Sequence, residues 1–225
     1  MHEVVRYIIG PLLCYFIGAI PFGYVLVRAV KKTDIRKKGS GNIGATNAAR
    51  VLGRWAFFAV FGLDFLKGFV AVLVIFNLFN NPYVFSNWRE FFEYEWMWKN
   101  LQVAYGLAAI LGHLFPVYLG FRGGKGIATS TGVFIYLTTW AVLAALVVWL
   151  VAFLLTRYIS VGSILSAIAY SGCYFLSVLV VWPKNPFEPQ ILFLTVIAIL
   201  VAVGVVAMHH QNIARLLKGR EPKSA

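Results

Sequence analysis

The residues with the clearest chemical potential fall in three stretches. The first runs Gly39-Ser40-Gly41-Asn42-Ile43-Gly44-Ala45-Thr46-Asn47, with Arg50 just beyond it. Glycines at this density let backbone N–H groups turn toward an anion, and the hydroxyls and amides of Ser40, Asn42, Thr46 and Asn47 add donors. Arg50 supplies a forked, permanent cation suited to phosphate. The stretch is not a Walker A loop, which ends in Gly-Lys-Ser/Thr and opens a soluble helix. The second stretch pairs Gly112-His113 with Phe121-Arg122-Gly123-Gly124-Lys125-Gly126. Glycines around Lys125 at the start of an apolar run resemble an anion cradle at a helix N-terminus. Arg122 and Lys125 can equally act as topology signals, and His113 reads either as a packing or as a site histidine. The third stretch is His209-His210-Gln211-Asn212, followed by Arg215, with His209 and Asn212 on one helical face.

Two further groups share a face inside an apolar run: Asp64 and Lys67. An intramembrane ionisable pair is either a structural ion pair or a device that orients its neighbours. Adjacent histidines point in different directions on a helix, and no cysteine or carboxylate stands at ligand spacing, so no metal site is expected. No Gly-x-Ser-x-Gly elbow or Ser/His/Asp series accompanies these motifs, which argues against an acyl-enzyme. Many donors and few bases suit the positioning and electrostatic stabilisation of phosphate-bearing reactants.

The elements that position these groups must be membrane helices. The chain of 225 residues is 60% hydrophobic and 12% charged, with a mean hydropathy of +0.79. Soluble domains carry about 25% charged residues, so the excess apolar surface must face lipid. Apolar runs of span length cover 7–28, 55–79, 101–119, 159–182 and 191–208. The run 127–155 is long for one helix and short for two full spans. The first run lacks a basic start and a cleavage site, and reads as a retained span rather than a signal peptide. Cys14 and Cys173 lie within apolar runs and read as inert.

Charge decides the span count. If 127–155 is a hairpin of two short helices turning near Thr138–Trp140, one side collects Arg28, Lys31, Lys32, Arg36 to Lys38, Arg50, Arg54, Arg122, Lys125, Arg157 and the basic tail from Arg215. The other side keeps Arg6, Arg89, Lys99 and Lys184 beside Glu3, Glu90, Glu93, Glu95 and Glu188. Basic loops stay cytoplasmic. The expectation is therefore a single all-α membrane domain over 1–225 with seven helices, the N-terminus outside and the C-terminus inside. Its cytoplasmic motif loops are 29–54, 120–126 and 209–225. An outer aromatic loop at 80–100, with Trp88, Phe91, Phe92, Tyr94, Trp96 and Trp98, suits the interface. Basic residues confined to such loops exclude groove-reading of nucleic acid. A transporter is disfavoured by the absence of an internal repeat and by motifs at one face rather than the midplane.

With these residues in view, the chain resembles the bacterial acyl-phosphate:glycerol-3-phosphate acyltransferases, small seven-helix enzymes of phospholipid synthesis. The likeness rests on Gly18-Ala-Ile-Pro-Phe-Gly23, Asp34-Ile35-Arg36 ahead of the first motif, Asp64-x-x-Lys67-Gly68, the segment from Gly112 to Gly126, and His209-x-x-Asn212-Ile213-x-Arg215-Leu216. It implies transfer of a fatty acyl group from acyl phosphate to the 1-hydroxyl of glycerol 3-phosphate in a bacterial cytoplasmic membrane. The implied enzyme needs neither cofactor nor obligate protein partner, and its active site faces the cytoplasm. On the family's pattern Ser40, Arg50 and Lys125 hold phosphate, with Gly41, Gly123 and Gly124 beside them, and Asn42, Thr46 and Asn47 shape the cradle. His209 and Asn212 would surround the glycerol and the reacting carbonyl, supported by Asp64, Lys67, His113 and Arg215. A substrate phosphate would take the hydroxyl proton. The chain departs from the pattern at His210, where Arg or Lys is common, and in the length of the outer loop.

Overall fold

The computed structural model describes residues 4–80, 95–181 and 189–223, and among these all regular structure is helical. Six helical stretches are long and apolar enough to cross a membrane: Val5–Lys31, Arg54–Leu78, Asn100–Leu119, Thr139–Thr156, Ile159–Val180 and Ile191–Met208. Ile127–Leu137 is a shorter apolar helix. The break expected within 127–155 falls at Thr138 (φ −147°, ψ 58°). The two pieces are unequal, however, with 11 residues before the break and 18 after it. Residues 81–94 of the expected outer aromatic loop lie outside the described residues, while 95–99 begin the helix Glu95–Leu114. The chain divides into two compact units, Met1–Leu137 and Thr138–Ala225.

The first unit contains α1 (Gly10–Ala19), α2 (Phe22–Lys31), α3 (Ala45–Leu52), α4 (Arg54–Val70), α5 (Glu95–Leu114) and α6 (Ile127–Leu137). Helix α1 packs on α5, and α4 on α6. Both contacts are made by small residues, because helices surrounded by lipid gain most from close backbone approach. A methyl on Gly18 would overlap the Ala109 carbonyl, and one on Gly132 would overlap that of Phe65. Pro21 stops the first span from being one continuous helix. The residue before a proline is pushed out of the α region, and Ile20 adopts φ −58°, ψ 115° between α1 and α2.

The glycine-rich loop between α2 and α3 is bolted down by apolar side chains. Ile35 and Ile43 are buried with Val27, Ala48, Ala56 and Val60. Fully burying an isoleucine stabilises by about 1.5–3 kcal/mol, so these two plugs hold a polar loop against the ends of α2 and α4. The second unit contains α7 (Thr139–Thr156), α8 (Ile159–Leu176), α9 (Pro189–Met208) and α10 (His210–Leu217). Here α8 packs on both α7 and α9, and the Thr138 hydroxyl meets that of Tyr170 at 3.0 Å.

Candidate active site

In the first motif the backbone is organised from within. Asn47 is buried, and its amide nitrogen donates to the carbonyls of Ile35 (3.3 Å), Lys38 (3.0 Å) and Asn42 (2.8 Å). Its Oδ1 accepts from the Ser40 amide at 2.9 Å. The Asn42 Oδ1 accepts from the Gly44 amide (2.8 Å), and the Gly41 amide donates to Lys38 O (3.0 Å). The expected picture of backbone amides and Asn47 turned toward an anion is therefore corrected: the Ser40, Gly41 and Gly44 amides and the Asn47 side chain are committed to the loop. Asn47 is a positioning residue. Gly39 and Gly41 sit at φ +55° and +73°, a region where a side chain is strained, and a Cβ on Gly39 would overlap Asn47 Oδ1.

The other polar side chains of the motif are less buried than Asn47. Ser40, Asn42 and Thr46 are half-buried, and Arg50 is exposed at the end of α3. Arg50 lines a pocket of about 500 Å³ with Lys31, Thr33, Lys38, Gly39 and Val51. Asp34, the one carboxylate in this loop, is unsuited to act as a base toward Ser40. Both its oxygens are bound by the Arg36 guanidinium (Nε at 3.1 and 3.2 Å, Nη2 at 2.8 Å), and it caps the Arg36 amide at 2.9 Å. Hydrogen bonding from Arg36 holds the Asp34 carboxyl below the usual carboxylate range.

The second motif folds back onto the end of α5. The Gly123 amide donates to Leu114 O and the Gly124 amide to His113 O, each at 3.1 Å. A Cβ on Gly124 would overlap the His113 ring at Nε2. These two glycines thus provide close approach to His113, and their own amides are not available to an anion as the sequence led one to expect. Lys125 follows directly and is half-buried. His113 is itself buried, with Nδ1 2.9 Å from Lys67 Nζ, and Lys67 pairs with Asp64 at 2.8 Å.

The third motif lies in the second unit, where the helix kinks at His209 between α9 and α10. His209 is buried with Nδ1 2.7 Å from the Val205 carbonyl. A proton on Nδ1 makes that contact a hydrogen bond and places the imidazole lone pair on Nε2. His210, beside it, is exposed. Asn212 is buried, and its amide donates to Glu221 Oε1 at 2.6 Å. Glu221 also receives Ser160 Oγ (3.0 Å) and Arg215 Nε (2.7 Å). The chain returns for this through a glycine turn: Gly219 at φ +62° donates to Leu216 O and Arg220 to Arg215 O, the paired bonds of a Schellman cap.

Residues 8–219 match the family described as glycerol-3-phosphate acyltransferase. The chain belongs to that family. It is 40% identical to the glycerol-3-phosphate acyltransferase of Staphylococcus aureus (strain Newman), covering 94% of this chain and 95% of that one. With the Aquifex aeolicus enzyme of the same description it shares 39% identity over 93% and 95% of the two chains. The crystal structure of PlsY, an integral membrane glycerol 3-phosphate acyltransferase, in its glycerol 3-phosphate form superposes with a TM-score of 0.77. That match has 34% identity and covers 96% of this chain and 94% of that one. The lysophosphatidic acid form gives 0.73 at 33% identity, with the same coverage. The chain is thus an integral membrane acyltransferase of phospholipid synthesis, as the motif resemblance implied.

Two contributors to the acyltransferase motifs escape sequence reading. One is Glu221, although a signal exists: it is the only carboxylate in the tail after Met208. The other is the Ile20 carbonyl, turned out of the helix ahead of Pro21, where it accepts from the Phe22 amide at 3.1 Å and from Lys67 at 3.0 Å. Burial pushes the Glu221 carboxyl up, but hydrogen bonds from Arg215, Asn212 and Ser160 outweigh this and hold it below its usual value of 4.5. A carboxyl depressed in the folded state contributes stability above its unfolded pKa and loses it as pH falls through the folded value. Glu221→Gln is therefore expected to destabilise the acyltransferase at neutral pH by about 1–3 kcal/mol, the cost of a broken charged hydrogen-bond set. The gap to the parent should close as pH falls below the usual value of 4.5. Thermal unfolding in detergent across pH 3–7 checks both; a gap independent of pH would remove Glu221 from this role.

Proposed function

We propose that the chain transfers a fatty acyl group from acyl phosphate directly to the 1-hydroxyl of glycerol 3-phosphate, giving lysophosphatidic acid and inorganic phosphate. The hydroxyl oxygen bonds to the acyl carbon, the bond from that carbon to the phosphate oxygen breaks, and the hydroxyl proton leaves with the phosphate. Ser40, Arg50 and Lys125 bind phosphate oxygens; Asn42 and Thr46 border them; His209 and Asn212 address the glycerol and the carbonyl. Two phosphates must approach closely, which demands the cationic excess of the motif loops.

The observation that carries direct transfer is the state of the carboxylates. Every Asp or Glu whose side chain is described is ion-paired: Asp34 with Arg36, Asp64 with Lys67 and Glu221 with Arg215. The remaining acids, Glu3, Glu90, Glu93, Glu95 and Glu188, fall in the segments that charge assigns to the outer side. No described protein carboxylate is thus poised as a base, and in this reading the departing phosphate, rather than His209 Nε2, takes the hydroxyl proton. The test is donor choice. Purified protein in lipid should form lysophosphatidic acid from palmitoyl phosphate and glycerol 3-phosphate without any gradient, and form none from palmitoyl-CoA. Turnover with the thioester alone would overturn the donor assignment, and solute uptake without product would favour a carrier.

The proposed topology has seven spans, with the motif loops and the tail in the cytoplasm of a bacterial inner membrane. In a Cys14→Ala, Cys173→Ala background, Lys37→Cys and Lys223→Cys, both at exposed positions, should react with an impermeant maleimide only in inside-out vesicles. Labelling of Lys223→Cys in intact cells would break the seven-span arrangement.

A further inference from the structure

A buried lysine lies where the two glycine-rich loops of the first unit meet the membrane helices. Lys67 Nζ is 2.8 Å from Asp64 Oδ1, 2.9 Å from His113 Nδ1 and 3.0 Å from the Ile20 carbonyl. The Lys67 and Asp64 side chains are only 2% and 4% exposed. An ammonium can only donate: Lys67 donates to Ile20 O and to His113 Nδ1, and its contact with Asp64 Oδ1 is an ion pair. His113 accordingly accepts at Nδ1 and carries its ring proton on Nε2, the edge against Gly124.

Two rigid connections leave this cation. One follows the broken first span from Ile20 through Pro21 and Phe22, whose ring centroid is 5.7 Å from Lys67 Nζ, to Gly23. Gly23 approaches the Ile43 carbonyl so closely that no Cβ fits, and Ile43 is a buried plug of the loop that bears Ser40 and Arg50. The other follows His113 to the backbone of Gly124, and so to Lys125. The Tyr15 hydroxyl fastens the same end of the α5 span to α1 through Phe115 O at 2.7 Å.

We infer that Lys67, held by Asp64, is a positioning residue: through Ile20 and His113 it sets the separation between the Ser40/Arg50 loop and the Lys125 loop. Stability alone does not call for it, since replacing a buried ion pair with well-packed apolar groups is often neutral or stabilising. Fixed spacing does call for it, because two phosphates held by different loops react only at one separation. This last step rests on the proposed phosphate roles of the loops.

Spin labels at Lys38→Cys and Arg122→Cys, both exposed, in the Cys14→Ala, Cys173→Ala background report the loop separation independently of activity. The parent should give one narrow distance band by pulsed electron resonance. The charge-neutral pair Asp64→Asn/Lys67→Met should still unfold cooperatively but give a broadened or displaced band. Its kcat should fall on the order of a hundredfold, the cost of an ångström-scale misplacement. KM for each substrate should change less than about threefold, because each loop is intact by itself. If that pair does not fold, His113→Asn serves instead: it keeps an acceptor for Lys67 but removes the ring edge under Gly124, and the band should broaden again. An unchanged band or unchanged kcat in a folded variant overturns the inference, as does failure of both variants to fold, which would assign the cluster to stability alone. A parent with the narrow band but no turnover from acyl phosphate would sink the proposed reaction and leave the band shift to decide on Lys67.

Discussion

Arg50→Lys is expected to lower kcat/KM for acyl transfer by about a hundredfold, nearly as much as Arg50→Ala. Arg50 is exposed at the mouth of a basic pocket with Lys31 and Lys38, so the variant keeps the net charge and the topology signal. What it loses is the planar fork suited to gripping two phosphate oxygens at once. Charged hydrogen bonds contribute about 1.5–3 kcal/mol each, and more where charge develops in the transition state, about 2.7–4 kcal/mol. Lys125→Met should cost at least as much, since its neighbours Gly123 and Gly124 have their amides bound to α5 carbonyls and offer no substitute donors. Both variants should insert normally and unfold at the parental temperature. Full activity in either folded variant would return these cations to a purely topological role.

Asn47→Ala should abolish activity by a different route. The side chain makes three donor contacts and one acceptor contact inside the first motif loop. Removing it leaves buried backbone groups unsatisfied at roughly 1–3 kcal/mol each. The loop then loses its shape while the apolar plugs Ile35 and Ile43 keep it attached. Activity should fall by more than about a hundredfold through misplaced Ser40 and Arg50. Asn47→Asp should not rescue, because it keeps the acceptor for the Ser40 amide but loses the donors and buries a charge. Amide exchange separates this from global unfolding: the Ser40 amide should exchange faster in Asn47→Ala, while α4 and α5 retain parental protection. Unchanged exchange at Ser40 would show that Asn47 does not organise the loop.

The helical pattern and the three motifs were legible because lipid leaves a coarse signature: long apolar runs, cations confined to loops, and polar residues only where something holds them. The motif residues stood out against that background by composition alone. What sequence could not carry was the direction each group faces. Asn47 and Ser40 look alike as donors in a glycine-rich string, yet one is turned inward to satisfy carbonyls and the other is left half-exposed. The glycines at 123 and 124 signal a tight approach, but only folding tells whether the approaching partner is an anion or the His113 ring. Pro21 announces a broken helix, whereas the lysine that binds the Ile20 carbonyl lies 47 residues away. Glu221 reaches Ser160 across a separation of 61 residues, and no local pattern encodes such a partner. The apolar run 127–155 announces a break somewhere within it, but not that the pieces either side of Thr138 have 11 and 18 residues.

Direct transfer between two bound substrates is tested most plainly by initial rates of lysophosphatidic acid formation over a grid of acyl phosphate and glycerol 3-phosphate concentrations. If, as proposed, Ser40 binds phosphate and is not acylated, both substrates must be present together, so the double-reciprocal lines should intersect. Parallel lines would mean that the acyl group leaves its phosphate before glycerol 3-phosphate binds, and would contradict direct transfer.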